Sequence, residues 1–316
     1  MEEQLEIQNI HPPSLSRSAK HYHADGDLFV GILTDNVLFC VSTHRFTSGQ
    51  TTQGMQQLRS TLLAAGPGVG ETPATPVILF NVRAKEFDVL CDFLYAEYNF
   101  VSASQNVFEV DCLADLLRMG VLFAIPDAIS WAVERLDSHP GLTHARRLSL
   151  SQKYGITSWF YPSFRSLVVQ PLTRLSAEDT IYAGPKVMNT LIRIHDNIIT
   201  LRHSMVLYPP LGLSRCEANN QCIYTWTALW RTYATSPLLF TPPGKISTRD
   251  LLNNFQNDPV YCRICRVCYV SNTAAVRELL AQEGRLISSA LDDHYDRLEF
   301  WRIRGHLEAI GYIGYS

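Results

Sequence analysis

Residues Leu28–Val41 read LFVGILTDNVLFCV and decide the first part of the fold. Two short apolar runs flank Thr34-Asp35-Asn36, and Asp and Asn are residues that favour tight turns. Short runs rich in Val, Ile, Leu and Phe on either side of a turn are typical of a β-hairpin. The stretch therefore predicts two neighbouring strands.

Apolar patterning extends this hairpin into a larger module. A third run of strand length follows at Pro76–Phe80, and the Gly- and Pro-rich residues 66–73 predict an exposed loop. Apolar residues at helical spacing predict four helices, at Gln53–Leu63, Lys85–Tyr95, Val110–Met119 and Ile125–Leu136. We expect an α+β module at residues 24–137, in which a small mixed sheet is capped by helices.

The rest of the chain divides by composition. The polar residues 1–23 predict a flexible N-terminal arm. Residues 142–208 carry apolar side chains at helical spacing and predict a helical extension, with Gly155 as a helix C-cap. Residues 209–316 are rich in Cys and Trp and include a long helical pattern from about Thr273 to Leu307. We therefore expect the C-terminal region to be mainly α-helical.

Bulk composition excludes several classes of protein. Hydrophobic residues make up 46% and charged residues 18% of the 316 residues, which is typical of a globular protein. The net charge of -3 provides no general attraction for nucleic acid or for an anionic membrane. The chain has no run of about eighteen apolar residues and no apolar leader, so we expect a cytoplasmic or nuclear protein.

The cysteines are the strongest chemical signal, because five of the eight lie in the last third of the chain. Cys262 and Cys265 have the two-residue gap that lets two thiolates reach one tetrahedral zinc ion. Cys216 and Cys222 could complete a four-cysteine structural site, with Cys268 or His203 as substitutes. The alternative is a set of buried free thiols in a helical core, since free Cys is among the most buried residue types.

Other motifs favour structural interpretations. Trp226 and Trp230 are four residues apart and predict packing in a core, although exposed tryptophans can also stack on bases. Residues Pro243–Thr248 resemble the end of a phosphate-binding Walker motif, but Ile246 stands where Ser or Thr binds magnesium. No motif frames a nucleophile, so the sequence predicts no catalytic residue and no required cofactor.

Together these segments resemble the BTB/POZ family, in the form that is abundant in mushroom-forming basidiomycete fungi. The most specific match is LSQKYGITSW at Leu150–Trp159. A cysteine pair, spaced tryptophans and a later Cys-x-x-Cys, as at Cys216 to Cys265, also match that fungal subgroup. Three matches lie in the predicted module, at Gly26-Asp27, at Phe39-Cys40-Val41 with His44-Arg45, and at Phe93-Leu94-Tyr95.

The resemblance implies a non-enzymatic protein–protein interaction role. BTB/POZ modules self-associate, so the expected partner is a second copy of the chain in a homodimer. Some members of the family bind a cullin scaffold as ubiquitin-ligase substrate adaptors, and others bind a corepressor. The first alternative function for this chain is therefore a cullin-dependent ubiquitin-ligase substrate adaptor. The second alternative is a zinc-containing, transcription-linked or nucleic-acid-binding protein. The net negative charge argues against nucleic-acid binding.

Overall fold

The computed structural model describes residues 15–47, 68–95, 108–123, 125–212, 216, 219–255 and 257–297, without the side chains of residues 46, 47, 262 and 293–297. These residues form two compact units, of which one ends at Leu142 and the other begins at Thr143. The protein is mixed α/β, with one small sheet in the first unit and helices in both. The finer domain boundaries predicted from the sequence, with regions at residues 1–23, 24–137, 142–208 and 209–316, stay predictions.

Four strands form the described sheet, in the order β1-β3-β2-β4. They are β1 (Ser16–Tyr22), β2 (Leu28–Ile32), β3 (Val37–Val41) and β4 (Val77–Leu79). Strands β2 and β3 form the expected antiparallel hairpin, while β1 and β4 run parallel to their neighbours. Asn36 has a left-handed backbone with φ 53° at the turn, a conformation that Asn tolerates better than most residues.

Strand β1 lies within the segment for which the sequence predicted a flexible arm. It is a polar edge strand, and its exposed side chains give no apolar alternation to detect. Backbone pairing with β3 holds it, together with the buried His21, whose Nε2 lies 2.9 Å from Oδ1 of Asp92. Residues 1–14 of the predicted arm lie outside the described residues.

The helices of the first unit are α1 (Thr43–Thr47), α2 (Ala84–Tyr95), α3 (Val110–Leu122) and α4 (Pro126–Asp137). The last three confirm the predicted helices, whereas predicted helix Gln53–Leu63 lies outside the described residues. The sheet and these helices bury their apolar faces, and the rings of Phe39 and Phe87 meet edge to face at 4.9 Å. This packing explains why apolar periodicity alone predicted the elements.

A helical core occupies the first part of the second unit. Its long helices are α5 (His144–Tyr154), α6 (Thr157–Val169) and α7 (Ala177–Leu207), and they pack with the last helix, α11 (Arg266–Arg297). Gly155 ends α5 with φ 69°, as the sequence predicted. Gly184 has φ 72° and ψ 166° and kinks α7, which therefore consists of two helical segments.

A second group of buried side chains, which we call the cysteine core, lies between shorter elements. These are α8 (Asn219–Leu229), a π-helical turn (Trp230–Ala234), α9 (Thr235–Phe240), α10 (Thr248–Leu252) and a 3₁₀ turn (Pro259–Arg263). The cysteine core consists of Met205, Cys222, Trp226, Leu229, Trp230, Ala234, Leu238, Leu251, Leu252, Phe255, Ile264, Cys268 and Val276.

The two tryptophans fill the centre of the cysteine core. Trp226 and Trp230 are fully buried, and their rings stack at a centroid distance of 6.0 Å. The predicted packing role is therefore confirmed. A stacking platform for bases needs an exposed ring face, which neither residue offers.

Within the described ranges, no helix combines the length and the apolar character that crossing a bilayer requires.

Candidate metal centre

Four cysteines meet at the start of two helices in the second unit. Cys216 precedes α8 and Cys222 lies in its first turn, while Cys265 directly precedes α11 and Cys268 lies in the first turn of that helix. All four sulfur atoms lie within 4.8 Å of one another. Two pairs that are about forty residues apart in sequence are therefore brought to one point.

The spacing of the sulfur atoms suits a tetrahedral metal ion. Cys216 Sγ lies 3.4 Å from Cys265 Sγ and 3.9 Å from Cys222 Sγ. Four thiolates around zinc at Zn–S distances of ~2.3 Å form a tetrahedron with edges of ~3.8 Å. The cluster thus has the size of a zinc tetrathiolate, and four sulfur donors are the set that closed structural zinc sites use.

Backbone N–H groups donate to two of the sulfur atoms. The N–H of Cys265 donates to Cys222 Sγ at 3.5 Å, and the N–H of Cys268 donates to Cys265 Sγ at 3.4 Å. Such bonds stabilise the thiolate over the thiol and fix the orientation of a metal ligand. They arise because Cys265 stands where the chain enters α11 and the first N–H groups of a helix lack helical partners.

The same contacts change the acidity of one thiol. The backbone N–H of Cys268, with the thiols of Cys216, Cys268 and Cys222, lowers the pKa of Cys265 to about 7, against the opposing effect of burial. The positive end of the α11 dipole acts in the same direction. A thiolate at this position is therefore accessible near neutral pH, which is the form that binds a metal.

Cysteines of the first unit behave differently. Burial raises the pKa of Cys91 well above its ordinary value, and burial also raises the pKa of Cys40 and of Cys112. None of these three belongs to the described group of potential metal ligands. They fit the interpretation of cysteines as buried thiols. Cys222 and Cys268 are buried as well, but together with Cys216 and Cys265 they lie close enough to share a metal ion.

The structure partly matches the predicted ligand set. It brings together Cys216, Cys222 and Cys265, and the fourth member is Cys268, which the sequence offered as a substitute. The side chain of Cys262 lies outside the described residues. His203 is exposed on α7 and is not in the cluster.

The start of α11 explains why Cys268 lies beside Cys265. A 3₁₀ turn ends at Arg263, Ile264 is buried, and the helix begins at Arg266, so Cys265-Arg-Val-Cys268 spans the entry into the helix. Residues three apart at a helix start place their side chains on one side of the first turn. The sequence shows that Cys265 and Cys268 form a second Cys-x-x-Cys, but it does not show that the helix begins between them.

Comparison of the chain with protein-family models, with curated proteins and with solved structures finds no match. The interpretation of the site therefore depends on its own geometry.

Proposed function

We propose that this protein is a non-enzymatic interaction protein whose second unit is stabilised by one zinc ion bound to Cys216, Cys222, Cys265 and Cys268. The observation that carries the zinc part is the convergence of four sulfur atoms within 4.8 Å. Four thiolates complete the coordination of zinc and leave no open position for water or substrate. The ion would thus contribute to folding rather than to catalysis.

The surrounding structure supports a stabilising role for the metal. The helices α9 and α10 that contribute to the cysteine core have six and five residues, too few to be stable alone. Cys222 and Cys268 are themselves part of that core, with exposed fractions of 1% and 3%. A metal that links the starts of α8 and α11 would hold these short elements around Trp226 and Trp230.

Metal content tests this part of the proposal. We expect purified full-length protein to carry about one zinc per chain, measured by native mass spectrometry and by elemental analysis. Cys265→Ser is expected to lose the ion, while the matched control Cys112→Ser, a half-buried cysteine of the first unit, retains it. Wild-type protein without zinc after purification in zinc-supplemented buffer would contradict the proposal.

Cobalt provides a readout if the serine variant folds poorly. Cobalt(II) in a four-sulfur tetrahedral site gives a strong visible absorption with sulfur-to-metal charge transfer. We expect that spectrum for wild-type protein and for Cys112→Ser. A spectrum typical of octahedral oxygen ligands would exclude the tetrathiolate.

The interaction part of the proposal concerns the first unit. A BTB/POZ-type module is supported by the sequence segments given above, and a small mixed sheet with packed helices is compatible with it. Strand β1 lies at one edge of the described sheet, and edge strands present backbone groups that can pair with another chain. We propose a second copy of this chain as the partner.

Solution mass tests the self-association. Light scattering coupled to size exclusion should give the mass of two chains for the full-length protein, against the 35.7 kDa of one chain. The Cys112→Ser control is expected to keep the dimer mass. A single-chain mass at every concentration into the upper micromolar range would contradict the self-association and leave the zinc proposal standing.

A further inference from the structure

A cleft of about 810 Å³ opens on the surface of the second unit. Its walls come from α6 and α11, and from the loop between α9 and α10 that carries Lys245. The volume falls within the range of roughly 300–1,000 Å³ that is usual for small-molecule sites. The cleft is separate from the cysteine cluster, since none of the four cysteines lines it.

Two cations face this cleft without an acidic partner. Arg165 on α6 and Lys245 on the loop line it, and neither forms an ion pair within 4.0 Å among the described residues. Asp292 is the one carboxylate among its described lining residues. His144 also lines it, and burial together with the charge of Arg147 lowers the pKa of that imidazole against the opposing charge of Asp179. The lining thus has an excess of positive charge.

A buried ion pair fixes the loop that carries Lys245. Arg202 and Glu283 are buried, and two hydrogen bonds of 2.8 and 2.9 Å join them. Arg202 also donates to the carbonyl of Pro242 at 3.2 Å, and Glu283 Oε1 accepts from the N–H of Gly244 at 2.6 Å. The loop is therefore anchored to both α7 and α11 on the residues directly before Lys245. Anchoring this backbone places the start of the Lys245 side chain at one point of the cleft, so less backbone entropy is lost when a ligand binds.

Apolar side chains form the other part of the lining. Val169 and Leu291 contribute aliphatic surface, and Tyr161 and Pro162 on α6 add an aromatic ring and a pyrrolidine ring. Guanidinium groups bind carboxylate and phosphate through two parallel hydrogen bonds, and an ammonium group adds a point charge. A ligand that matches this lining has an oxyanion at one end and an apolar body at the other.

We propose that the cleft binds a small organic oxyanion, whose charged group lies between Arg165 and Lys245 and whose apolar body lies against Val169 and Leu291. This site is independent of the proposed metal centre and of the proposed dimer. Its ligand class is a phosphate monoester or a carboxylate on an apolar skeleton. Asp292 opposes the charge and limits the affinity for a dianion.

Binding of two probe anions tests the site. Full-length protein is titrated with phenyl phosphate and with benzoate, and ligand-observed NMR reports the affinity. We expect at least one of them to bind in the millimolar range or tighter, and the stronger probe identifies the phosphate or the carboxylate class. Benzyl alcohol, which lacks the charge, is expected not to bind.

Substitutions locate the binding. Arg165→Gln and Lys245→Gln are each expected to weaken it by about tenfold, because each removes a charge-assisted hydrogen bond. Asp292→Asn is expected to strengthen it. Arg193→Gln and Lys186→Gln are matched controls, since both residues are exposed on α7 and outside the lining, and neither should change the affinity.

Several results would overturn the proposal. One is the absence of binding for both probes at about 10 mM, where a millimolar site is mostly filled. Another is equal affinity in the two cleft variants and the two controls, which would show binding elsewhere on the surface. Equal affinity for inorganic phosphate and phenyl phosphate would show that the apolar side chains of the cleft do not contribute to binding.

Discussion

The first unit and the cysteine core of the second unit both bury apolar side chains, but they do so with different elements. In the first unit, a sheet and three helices of at least twelve residues bury aliphatic and Phe side chains. In the cysteine core, two helices of five and six residues join parts of α7, α8 and α11 around two tryptophans and two buried cysteines. Long periodic elements stabilise themselves by apolar burial, whereas short ones need additional links.

Polar links hold different parts of the two units. Described ion pairs of the first unit include Glu86 with Arg83 and Arg118 at a helix start. In the second unit the pair Arg202–Glu283 is buried on both sides and fastens a loop. We infer that loss of the polar links destabilises the second unit more than the first.

Removal of the metal is expected to have the largest effect. Apparent binding free energies of structural zinc sites are on the order of 10 kcal/mol, so a strong chelator should unfold the cysteine core and leave the first unit folded. Hydrogen exchange read by mass spectrometry should rise in α8 and at the start of α11 and stay constant in β2 and β3. Added zinc should reverse the change. If the chelator left hydrogen exchange unchanged in both units, the proposed dependence of the cysteine core on a metal ion would be contradicted.

Breaking the buried ion pair is expected to have the next largest effect. Arg202→Met leaves Glu283 as an uncompensated buried charge and removes bonds to the loop before Lys245, which should cost about 3–5 kcal/mol. Urea unfolding of the second unit measures it. Arg193→Met on the same helix is an exposed control and should change stability by less than about 0.5 kcal/mol. A similar loss of stability in both variants would show that the effect does not come from breaking the buried ion pair.

Acid should weaken the first unit through Glu86. Burial alone would raise the pKa of its carboxyl, but hydrogen bonds from the backbone and guanidinium of Arg83 and the charge of Arg118 lower it. Because the folded pKa is the lower one, the stabilisation is complete above the unfolded pKa of ~4.3 and is lost as pH falls through the folded pKa. Charged hydrogen bonds of this kind contribute about 1.5–3 kcal/mol at neutral pH.

A substitution and its control measure this contribution. Glu86→Gln should lower the urea midpoint of the first unit near neutral pH, and the deficit should shrink towards a pH of about 3. Glu134→Gln, on the exposed side of α4, should match wild type throughout. A deficit that stays constant with pH would show that charge is not its cause.

The two tryptophans give the smallest expected difference. Trp230 Nε1 donates to the carbonyl of Met205 at 2.9 Å, whereas Trp226 Nε1 has no hydrogen-bond partner among the described residues. Trp230→Phe should therefore cost about 1 kcal/mol more than Trp226→Phe, because both create a similar cavity but only one loses a hydrogen bond. Thermal unfolding of the two variants measures the difference, and the opposite order would contradict it.

Sequence patterns predicted the elements with regular apolar spacing and failed elsewhere for physical reasons. Helices α2, α3 and α4 and the hairpin were predicted because their buried faces are continuous. Strand β1 was not predicted, since backbone pairing and His21 hold a strand whose other side chains are mostly exposed. No local pattern in a sequence reports pairing of that kind.

Three of the predicted metal ligands and the substitute Cys268 lie together in the structure, whereas the side chain of the predicted ligand Cys262 lies outside the described residues. The spacing of cysteines shows which pairs can share an ion, and it indicated Cys216, Cys222, Cys262 and Cys265, with Cys268 as a substitute. The place of Cys268 beside Cys265 depends on where α11 begins, because the helix start brings these two residues into one turn. That register is set by tertiary packing of Ile264 and Cys268 in the cysteine core.

The measurement that tests the zinc site most directly is X-ray absorption at the zinc edge for wild type, Cys268→Ser and Cys262→Ser. We expect four sulfur neighbours at ~2.3 Å in wild type and in Cys262→Ser, and a lost or altered sulfur shell in Cys268→Ser. A shell that survives Cys268→Ser unchanged and is lost in Cys262→Ser would contradict the ligand set given by the structure. A wild-type shell of nitrogen and oxygen neighbours would contradict the metal centre itself.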